Sequence, residues 1–269
     1  MSERVAVVMT HRRADEIRVA VETLERVAAA NGVRLRFVDD EPEGDDRGVE
    51  IAIALGGDGT ILSALRRFSG TGVPVFAVNY GRVGFLATIE ADECQEGFER
   101  AFAHDFELRR LPAVGIAAPG IREAGLNDVS ITRRPGDRVA VLAYVLRGEE
   151  LGRVRCDGLV VATPAGSTGY NLANGGPVLA WGVGGYVVSF IAPHSLTARA
   201  LVVAPADTLT ICNRAKAESV DVAVDGRPVG ELAPGDSLDC RFVPDAALLA
   251  QLPGTTFYRR LREKFGHLV

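Results

Sequence analysis

The chain has 269 residues, of which 47% are hydrophobic and 24% charged, proportions typical of a globular protein rather than a disordered one. This length fits one large domain or two ordinary ones. The formal net charge of −5 argues against nucleic acid as a partner, and the longest apolar runs are far shorter than a membrane span, so we expect a cytoplasmic protein that binds neither nucleic acid nor membrane.

The first hundred residues alternate strand and helix patterns. Apolar runs and two-residue alternation predict strands at 5–9, 33–38, 49–55 and 73–79. Apolar residues at helical spacing predict helices at 14–30, 60–68 and 91–104. This order is typical of βαβ units, so residues 1–105 are predicted to form an α/β nucleotide-fold domain with a parallel sheet.

Beyond residue 106 the pattern changes to short β-rich segments separated by turn residues. They lie at 111–118, 126–132, 138–146, 158–162, 186–191, 200–204, 208–213, 220–224 and 237–243. This spacing predicts an all-β, sandwich-like domain over residues 106–244. The remaining segment, from about 245 to 269, ends in "TTFYRRLREKFGHL" and is predicted to form a helix that packs back on the first domain.

Neither the cysteines nor the histidines follow a metal-binding pattern. Cys94, Cys156, Cys212 and Cys240 stand far apart, and the four histidines are equally scattered, so we expect reduced thiols and no zinc site. The chain has only two lysines, and neither lies in a GxxxxGK[ST] sequence, which excludes a Walker-type nucleotide site. A phosphate site here would need backbone amides, arginines and a metal ion.

The stretch "ALGGDGTILSALRR", residues 54–67, ends a predicted strand with three glycines around one aspartate. The glycines let a ligand approach the backbone closely, and amides at the start of the following helix favour an anion. Asp58 could accept a proton from an attacking hydroxyl or help to hold a divalent cation. The alternative is a plain strand-to-helix turn in which Asp58 caps the helix.

A second cluster, "DGLVVATPAGSTGYNLANGGP" at residues 157–177, begins with a β run. Its small polar residues offer many hydrogen-bonding groups with little bulk, which suits a ribose and its phosphates. Tyr170 adds an aromatic face for a base or ribose. A plain connection is the alternative, although a loop of this length is uncommon inside a compact domain unless it is functional.

Four shorter motifs carry weaker signals. "GLNDVSI" puts Asn127 and Asp128 at the mouth of a strand, where such a pair more often forms a turn. "NYGRVGFLA" is either a second binding loop or a turn whose Phe85 enters the core. "PHSLTAR" presents His194 without an obvious partner, which favours a structural histidine, and "VDGRP" is typical of a hairpin turn.

In this order the motifs resemble those of NAD kinases that use ATP or polyphosphate. "GGDGT" is shared with diacylglycerol and sphingosine kinases and phosphofructokinases, whereas "DGLVVATPAGSTGYNLANGGP" resembles the second signature of the NAD kinases. "NYGRVGFLA", "LND", "PHSL", "VDG" and "FYRRLREKF" agree in order and spacing, so the resemblance covers almost the whole chain. It implies phosphoryl transfer to the 2′-hydroxyl of the adenosine ribose of NAD, with Mg²⁺ or Mn²⁺ as cofactor, in a homodimer or homotetramer.

The resemblance also implies roles for individual residues. Asp58 would be the catalytic base, and Gly57, Gly59 and Thr60 would face the phosphates. The remaining positions would bind the dinucleotide, with Phe85 near the adenine and Arg227 able to contact a phosphate: Phe85, Asn127, Asp128, Arg155, Asp157, Thr168, Gly169, Tyr170, Asn171, Ala173 and Arg227. The metal would be held through the donor phosphates.

The chain departs from the family pattern at five places, one of which is "HSLTARAL", where the usual Arg-Pro after the leucine is missing. Asp128 stands where glutamate is usual, Gly169 where alanine is commoner, Ala173 where a hydroxyl is frequent, and Arg227 where a neutral polar residue is common. Because Asp58 is present, we expect activity, with altered affinity or acceptor preference. Two alternatives stay open: a lipid kinase of the diacylglycerol type, against which the polar second cluster argues, and a non-catalytic NAD(P)-binding regulator.

Overall fold

A computed structural model gives the fold and describes residues 3–10, 14–38, 45–81, 84–254 and 256–266. The chain divides into two compact units. Unit 1 consists of Met1–Leu111 and Ala246–Val269, and unit 2 of Pro112–Asp245. Arg82 of the "NYGRVGFLA" motif and the last three residues of the predicted C-terminal helix lie outside the described residues.

Unit 1 is built from alternating strands and helices. Its elements are β1 (Arg4–Thr10), α1 (Ala14–Ala30), β2 (Val33–Phe37), β3 (Val49–Gly56), α2 (Asp58–Arg67), β4 (Pro74–Asn79), β5 (Ile89–Glu90), α3 (Cys94–Phe102) and α5 (Phe257–Phe265). Strand β3 lies between β1 and β4, and β2 pairs with β1, all in parallel. Residues 51–55 of β3 are completely buried, as is usual in a parallel sheet covered on both faces.

Unit 2 is antiparallel. Its elements are β6 (Glu107–Ala118, which begins in unit 1), β7 (Ile121–Gly125), β8 (Asp128–Arg133), β9 (Ala140–Leu146), β10 (Glu149–Cys156), β11 (Gly158–Ala162), α4 (Tyr170–Ala173), β12 (Tyr186–Ile191), β13 (Leu201–Val203), β14 (Leu209–Asn213), β15 (Val220–Val224), β16 (Arg227–Leu232) and β17 (Ser237–Gln251). One sheet has the order β13–β12–β11–β8–β15–β16, and β10, β9, β14 and the start of β17 are neighbours in a second layer.

The two layers of unit 2 share one hydrophobic core. Ile131, Val161 and Val188 come from the first layer, and Leu142 and Ile211 from the second. This arrangement is a β-sandwich. The predicted fold class, an α/β domain with a parallel sheet followed by a sandwich-like β domain, is therefore confirmed.

Three strands of unit 2 have no counterpart in the predicted segments. They are β7, β10 and β16, and most of their residues are exposed. Charged residues interrupt the apolar positions of β7 and β10, and β16 contains Pro228 and Gly230, so none of these strands shows the apolar alternation on which the prediction depends.

The C-terminal helix starts later than predicted. Residues 246–251 continue β17, and Leu248 and Leu249 pair in parallel with β4, because burial beside that strand overrides the helical propensity of "AALLAQ". Helix α5 begins only at Phe257, where the Thr256 side chain accepts a hydrogen bond from the Arg259 amide at 3.1 Å. None of the helices in the described part of the chain has the length and apolar character needed to span a membrane.

Candidate active site

The glycine-rich turn between β3 and α2 is a tight backbone structure. Gly57 is the N-cap residue of α2, and no side chain caps this helix, so Asp58 is not the cap that the alternative reading of the motif required. A Cβ on Gly56 would lie 2.4 Å from Thr60 Oγ1, which shows that the Thr60 side chain folds back over the turn. Gly56 therefore has no room for a side chain. Because Asp58 does not cap the helix, its carboxylate is available for another contact.

That contact is with the backbone of residues 84–86, here called the 84–86 segment. Asp58 Oδ2 accepts hydrogen bonds from the amides of Gly84 (3.1 Å) and Phe85 (3.4 Å), and Oδ1 accepts one from Leu86 (3.0 Å). Three amide donors fix the orientation of the carboxylate. The "NYGRVGFLA" motif and the "GGDGT" motif thus meet at Asp58.

The other side of the 84–86 segment is held by Arg260 of α5. Its Nη1 donates to the carbonyls of Phe85 (2.9 Å) and Gly84 (3.4 Å), and its Nη2 donates to Gln251 Oε1 (2.7 Å). Burial lowers the pKa of Arg260 to about 10, against the opposing effects of Glu90 and Asp58, so the guanidinium is charged at neutral pH. Sequence reasoning missed this residue; the available signal was an arginine three positions after Phe257 on one helical face.

Phe85 itself is buried. Its ring lies 5.3 Å from that of Phe265 and 6.5 Å from that of Phe257, centroid to centroid. The side chain expected beside the adenine is therefore packed against α5, as in the alternative interpretation of its motif, while its amide contacts Asp58.

The loop after β4 approaches the glycine turn through its backbone. A Cβ on Gly81 would lie only 2.8 Å from the Gly57 Cα. Asn79, which is buried, accepts a hydrogen bond from the Gly81 amide at 2.9 Å and donates to Glu90 Oε2 at 2.7 Å. Asn79 therefore shapes this loop, a role that the sequence motif did not reveal.

A cavity of about 620 Å³ opens at the carboxyl ends of β1, β3 and β4. Its lining includes Gly57, Gly59, Thr60, Ser63 and Tyr80. Ligands of parallel α/β sheets bind at this edge, and the N-terminus of a helix favours anions. The predicted phosphate-facing residues Gly57, Gly59 and Thr60 are thus together on one cavity wall within unit 1.

In unit 2, Asp225 organises residues 126–128, here called the 126–128 turn. Its carboxylate accepts hydrogen bonds from the amides of Leu126 (3.1 Å), Asn127 (2.8 Å) and Asp128 (3.2 Å). Asp225 belongs to "VDGRP", which does form the predicted turn between β15 and β16, with a φ of 48° at Asp225. Its contact with the 126–128 turn was missed, because hairpin patterns describe local structure only.

Asp128 of unit 2 has a carboxyl group whose pKa differs from its ordinary value. Burial, followed by the nearby charge of Asp225, raises the pKa of Asp128 from 3.8 to about 6. The side chain can therefore change its protonation state just below neutral pH, and its ionised form lacks the full solvation of a surface carboxylate.

The small-residue loop, residues 163–179, packs directly on the 126–128 turn. Thr163 donates to the Leu126 carbonyl through Oγ1 (2.6 Å) and to the Asn127 carbonyl through its amide (2.9 Å). A Cβ on Gly166 would lie 2.0 Å from the Asn127 carbonyl oxygen. Two motifs that are separate in sequence therefore form one rigid cluster.

Within this loop the predicted ligand residues have different environments. Tyr170 is 41% exposed, and Gly169 and Ala173 are exposed beside it, so their surfaces are available to a ligand. Thr168 is half-buried and donates to the Ala165 carbonyl at 3.2 Å. Asn171 differs from the expectation, because it is completely buried and its amide nitrogen donates to the carbonyls of Ser167 (2.9 Å) and Pro177 (3.0 Å).

The three remaining predicted residues lie on strands or at their ends. Asp157 accepts a hydrogen bond from Arg133 Nε at 2.6 Å, and this bond lowers the pKa of the Asp157 carboxyl, with a smaller contribution from the charge of His194. Arg155 and Arg227 are exposed. Arg133 was not predicted as a partner of Asp157.

No group of three or more histidine, cysteine, aspartate or glutamate side chains lies close enough to hold a metal among the residues that the structure describes.

Sequence comparison identifies the family. The family model of the ATP-NAD kinase N-terminal domain matches residues 5–106, and the family model of the ATP-NAD kinase C-terminal domain matches residues 126–251. The chain belongs to the NAD kinase family. Among its relatives, the NAD kinase of Gemmatimonas aurantiaca is 36% identical over 82% of this chain and 78% of its own length. The NAD kinase of Lachnoclostridium phytofermentans is 31% identical over 96% and 98% of the two chains.

Two solved structures from this family share the fold. Yeast NADH kinase, complexed with NADH, has a TM-score of 0.86 and 22% identity over 98% of this chain and 88% of its own. An NAD kinase from Archaeoglobus fulgidus, in complex with ATP, has a TM-score of 0.77 and 24% identity over 98% and 97% of the two chains. Membership of the NAD kinase family excludes the lipid kinase alternative.

Proposed function

We propose that Asp58 is the general base of an NAD kinase reaction in this chain, in which the terminal phosphoryl group of ATP or polyphosphate is transferred to the 2′-hydroxyl of the adenosine ribose of NAD. The observation that carries the proposal is an oriented carboxylate on a glycine turn whose neighbouring residues Gly57, Gly59 and Thr60 line a cavity at the start of α2. Family membership supports the reaction type.

In the proposed step, Asp58 accepts the proton of the 2′-hydroxyl as its oxygen attacks the terminal phosphorus. The bond from that phosphorus to the bridging oxygen breaks, so that the shortened donor leaves and NADP forms. The three amides of the 84–86 segment orient the carboxylate before the reaction. A positioned base of this kind contributes about 10²–10⁴-fold to the rate.

Gly57, Gly59 and Thr60 are proposed to accommodate the donor phosphates, because they line the cavity and the two glycines leave the backbone accessible. A divalent cation, Mg²⁺ or Mn²⁺, would neutralise the phosphate charge when it is bound. The absence of a Walker-type lysine increases the need for that charge neutralisation.

Residues of unit 2 are proposed to bind the dinucleotide. Asn127 and Asp128 would bind ribose hydroxyls, and Tyr170 would pack against the adenosine, supported by the rigidity of the turn and the exposure of the ring. Arg155, Asp157, Thr168, Gly169, Ala173 and Arg227 are proposed to complete the site. Asn171 is proposed to shape the loop rather than contact NAD, since it is buried. We further propose a cytoplasmic homodimer or homotetramer.

The test uses the purified chain with NAD, Mg²⁺ and either ATP or polyphosphate. NADP formation is followed with a dehydrogenase that is specific for NADP. We expect NADP with at least one donor, and its loss when the cation is chelated with EDTA. Binding of NAD without NADP formation under any donor would instead support the non-catalytic regulator.

A further inference from the structure

The 84–86 segment is held between an anion and a cation. The carbonyl of Gly84 and the amide of Phe85 belong to one peptide group, and the carbonyl of Phe85 and the amide of Leu86 belong to the next. Arg260 Nη1 binds both carbonyls, at 3.4 and 2.9 Å, and the Asp58 carboxylate binds both amides, at 3.4 and 3.0 Å. No peptide bond described is cis, so each group directs its oxygen and its N–H to opposite sides.

This geometry aligns two peptide dipoles from Arg260 towards Asp58. The positive guanidinium polarises each carbonyl, which strengthens the N–H on the other side as a donor to the carboxylate. Gly84 and Arg260 are 176 residues apart in the sequence. The arrangement therefore forms only when α5 is packed in unit 1.

Burying the charged side chain of Arg260 at this position costs free energy. It is only 7% exposed, and a buried guanidinium loses solvation that hydrogen bonds must replace. Its neighbour Arg259 keeps most of its solvation, because its side chain is 62% exposed and pairs with Glu263 one helical turn along. Helix packing alone would be satisfied by an apolar side chain at position 260.

We propose that Arg260 is a positioning residue for Asp58: it acts through the two peptide groups of the 84–86 segment and holds the carboxylate in the orientation that accepts the hydroxyl proton. This inference rests on the proposed role of Asp58 as the base. The expected consequence is that Arg260 affects the rate of phosphoryl transfer and leaves the affinity for NAD unchanged. Its described hydrogen bonds go to the backbone carbonyls of Gly84 and Phe85 and to Gln251, and none of these three residues lines the cavity beside the glycine turn. The Phe85 ring, which is the part of that residue predicted to lie near the adenine, packs against α5.

The test compares Arg260→Gln and Arg260→Lys with Arg259→Gln, a matched control that removes the same charge from the same helix. Hydrogen exchange of the Phe85 and Leu86 amides is measured in each protein, together with kcat, KM and the NAD dissociation constant. We expect Arg260→Gln to speed exchange at both amides at least ~10-fold and to lower kcat by about 10–100-fold, with NAD affinity within about twofold of the wild type. Arg260→Lys restores part of kcat, and Arg259→Gln changes neither quantity.

Equal exchange and equal kcat in Arg260→Gln and Arg259→Gln would overturn the proposal, as would a loss confined to NAD affinity. If Arg260→Gln does not fold, Arg260→Lys decides, since one nitrogen on a shorter side chain then replaces the two that bind the carbonyls and Gln251, and unchanged exchange in that variant would also refute the proposal. The exchange measurement needs no turnover. It therefore separates failure of the positioning role from failure of the proposed function, which would appear as full activity in Asp58→Asn.

Discussion

Replacing Asp128 with asparagine is expected to stabilise the folded protein most at alkaline pH. Burial and the charge of Asp225 raise the pKa of Asp128 from 3.8 to about 6, and a tenfold change in acid dissociation corresponds to about 1.4 kcal/mol. In the unfolded chain this carboxyl ionises from about pH 4, whereas in the folded chain it stays protonated until about pH 6. The contribution of Asp128 to the free energy of unfolding therefore falls as the pH rises from about 4 to 6, and stays unfavourable above that range.

The size of the effect follows from these two values. Asparagine carries no charge, so Asp128→Asn should remove a penalty of about 3 kcal/mol at pH 8 and of about half as much at pH 5. Each kcal/mol corresponds to about 2–4 °C in Tm for a chain of this size class. The same variant is expected to bind NAD about tenfold more weakly, because a charged acceptor of ribose hydroxyls is lost.

The assay is urea unfolding at pH 5 and pH 8 of the wild type, Asp128→Asn and the control Asp137→Asn, whose side chain is exposed in a turn of the same unit. The control should differ little from the wild type at either pH. A stabilisation of Asp128→Asn that is the same at both pH values would refute the reasoning, and so would a loss of stability at pH 8.

Three further changes test the organisation of the two units. Asp225→Ala removes the acceptor of three amides and should destabilise unit 2 by about 2–4 kcal/mol and weaken NAD binding, while Asp225→Asn should retain part of both; equal stability of wild type and Asp225→Ala in urea would contradict this. Gly166→Ala places a Cβ 2.0 Å from the Asn127 carbonyl oxygen and should cost at least ~2 kcal/mol by thermal unfolding, whereas the control Gly182→Ala, whose Cβ would meet no atom within 4 Å, should cost little. Gly81→Ala meets the Gly57 Cα at 2.8 Å and should lower kcat through the glycine turn, and a variant with normal kinetics would argue against that close approach.

Local patterns in the sequence were sufficient for the framework of the fold. The apolar run over residues 51–55 of β3 and the glycines that follow it indicate a buried parallel strand and a tight turn, and both are present. The same local reasoning failed at residues 246–251, where "AALLAQ" suits a helix in isolation and forms a strand because β4 is beside it. Propensity describes the chain alone, and a neighbouring strand can reverse it.

The candidate site was predictable in its motifs and not in its supports. Asp225 lies 99 residues from Leu126, and Arg260 lies 176 residues from Gly84. No pattern of sequence spacing predicts contacts between residues so far apart. Asn171 shows the converse. The sequence cannot distinguish an asparagine that binds a ribose from one that donates hydrogen bonds to two carbonyls of its own loop. Only burial distinguishes these roles, and burial is a property of the folded chain.

The central claim is that Asp58 accepts the proton of the attacking hydroxyl. Single-turnover phosphoryl transfer by Asp58→Asn, measured with saturating NAD and donor and with the NAD dissociation constant determined separately, tests it most directly. We expect the rate to fall by at least ~100-fold while NAD affinity stays within about threefold of the wild type. A rate close to that of the wild type would contradict the assignment of Asp58 as the base.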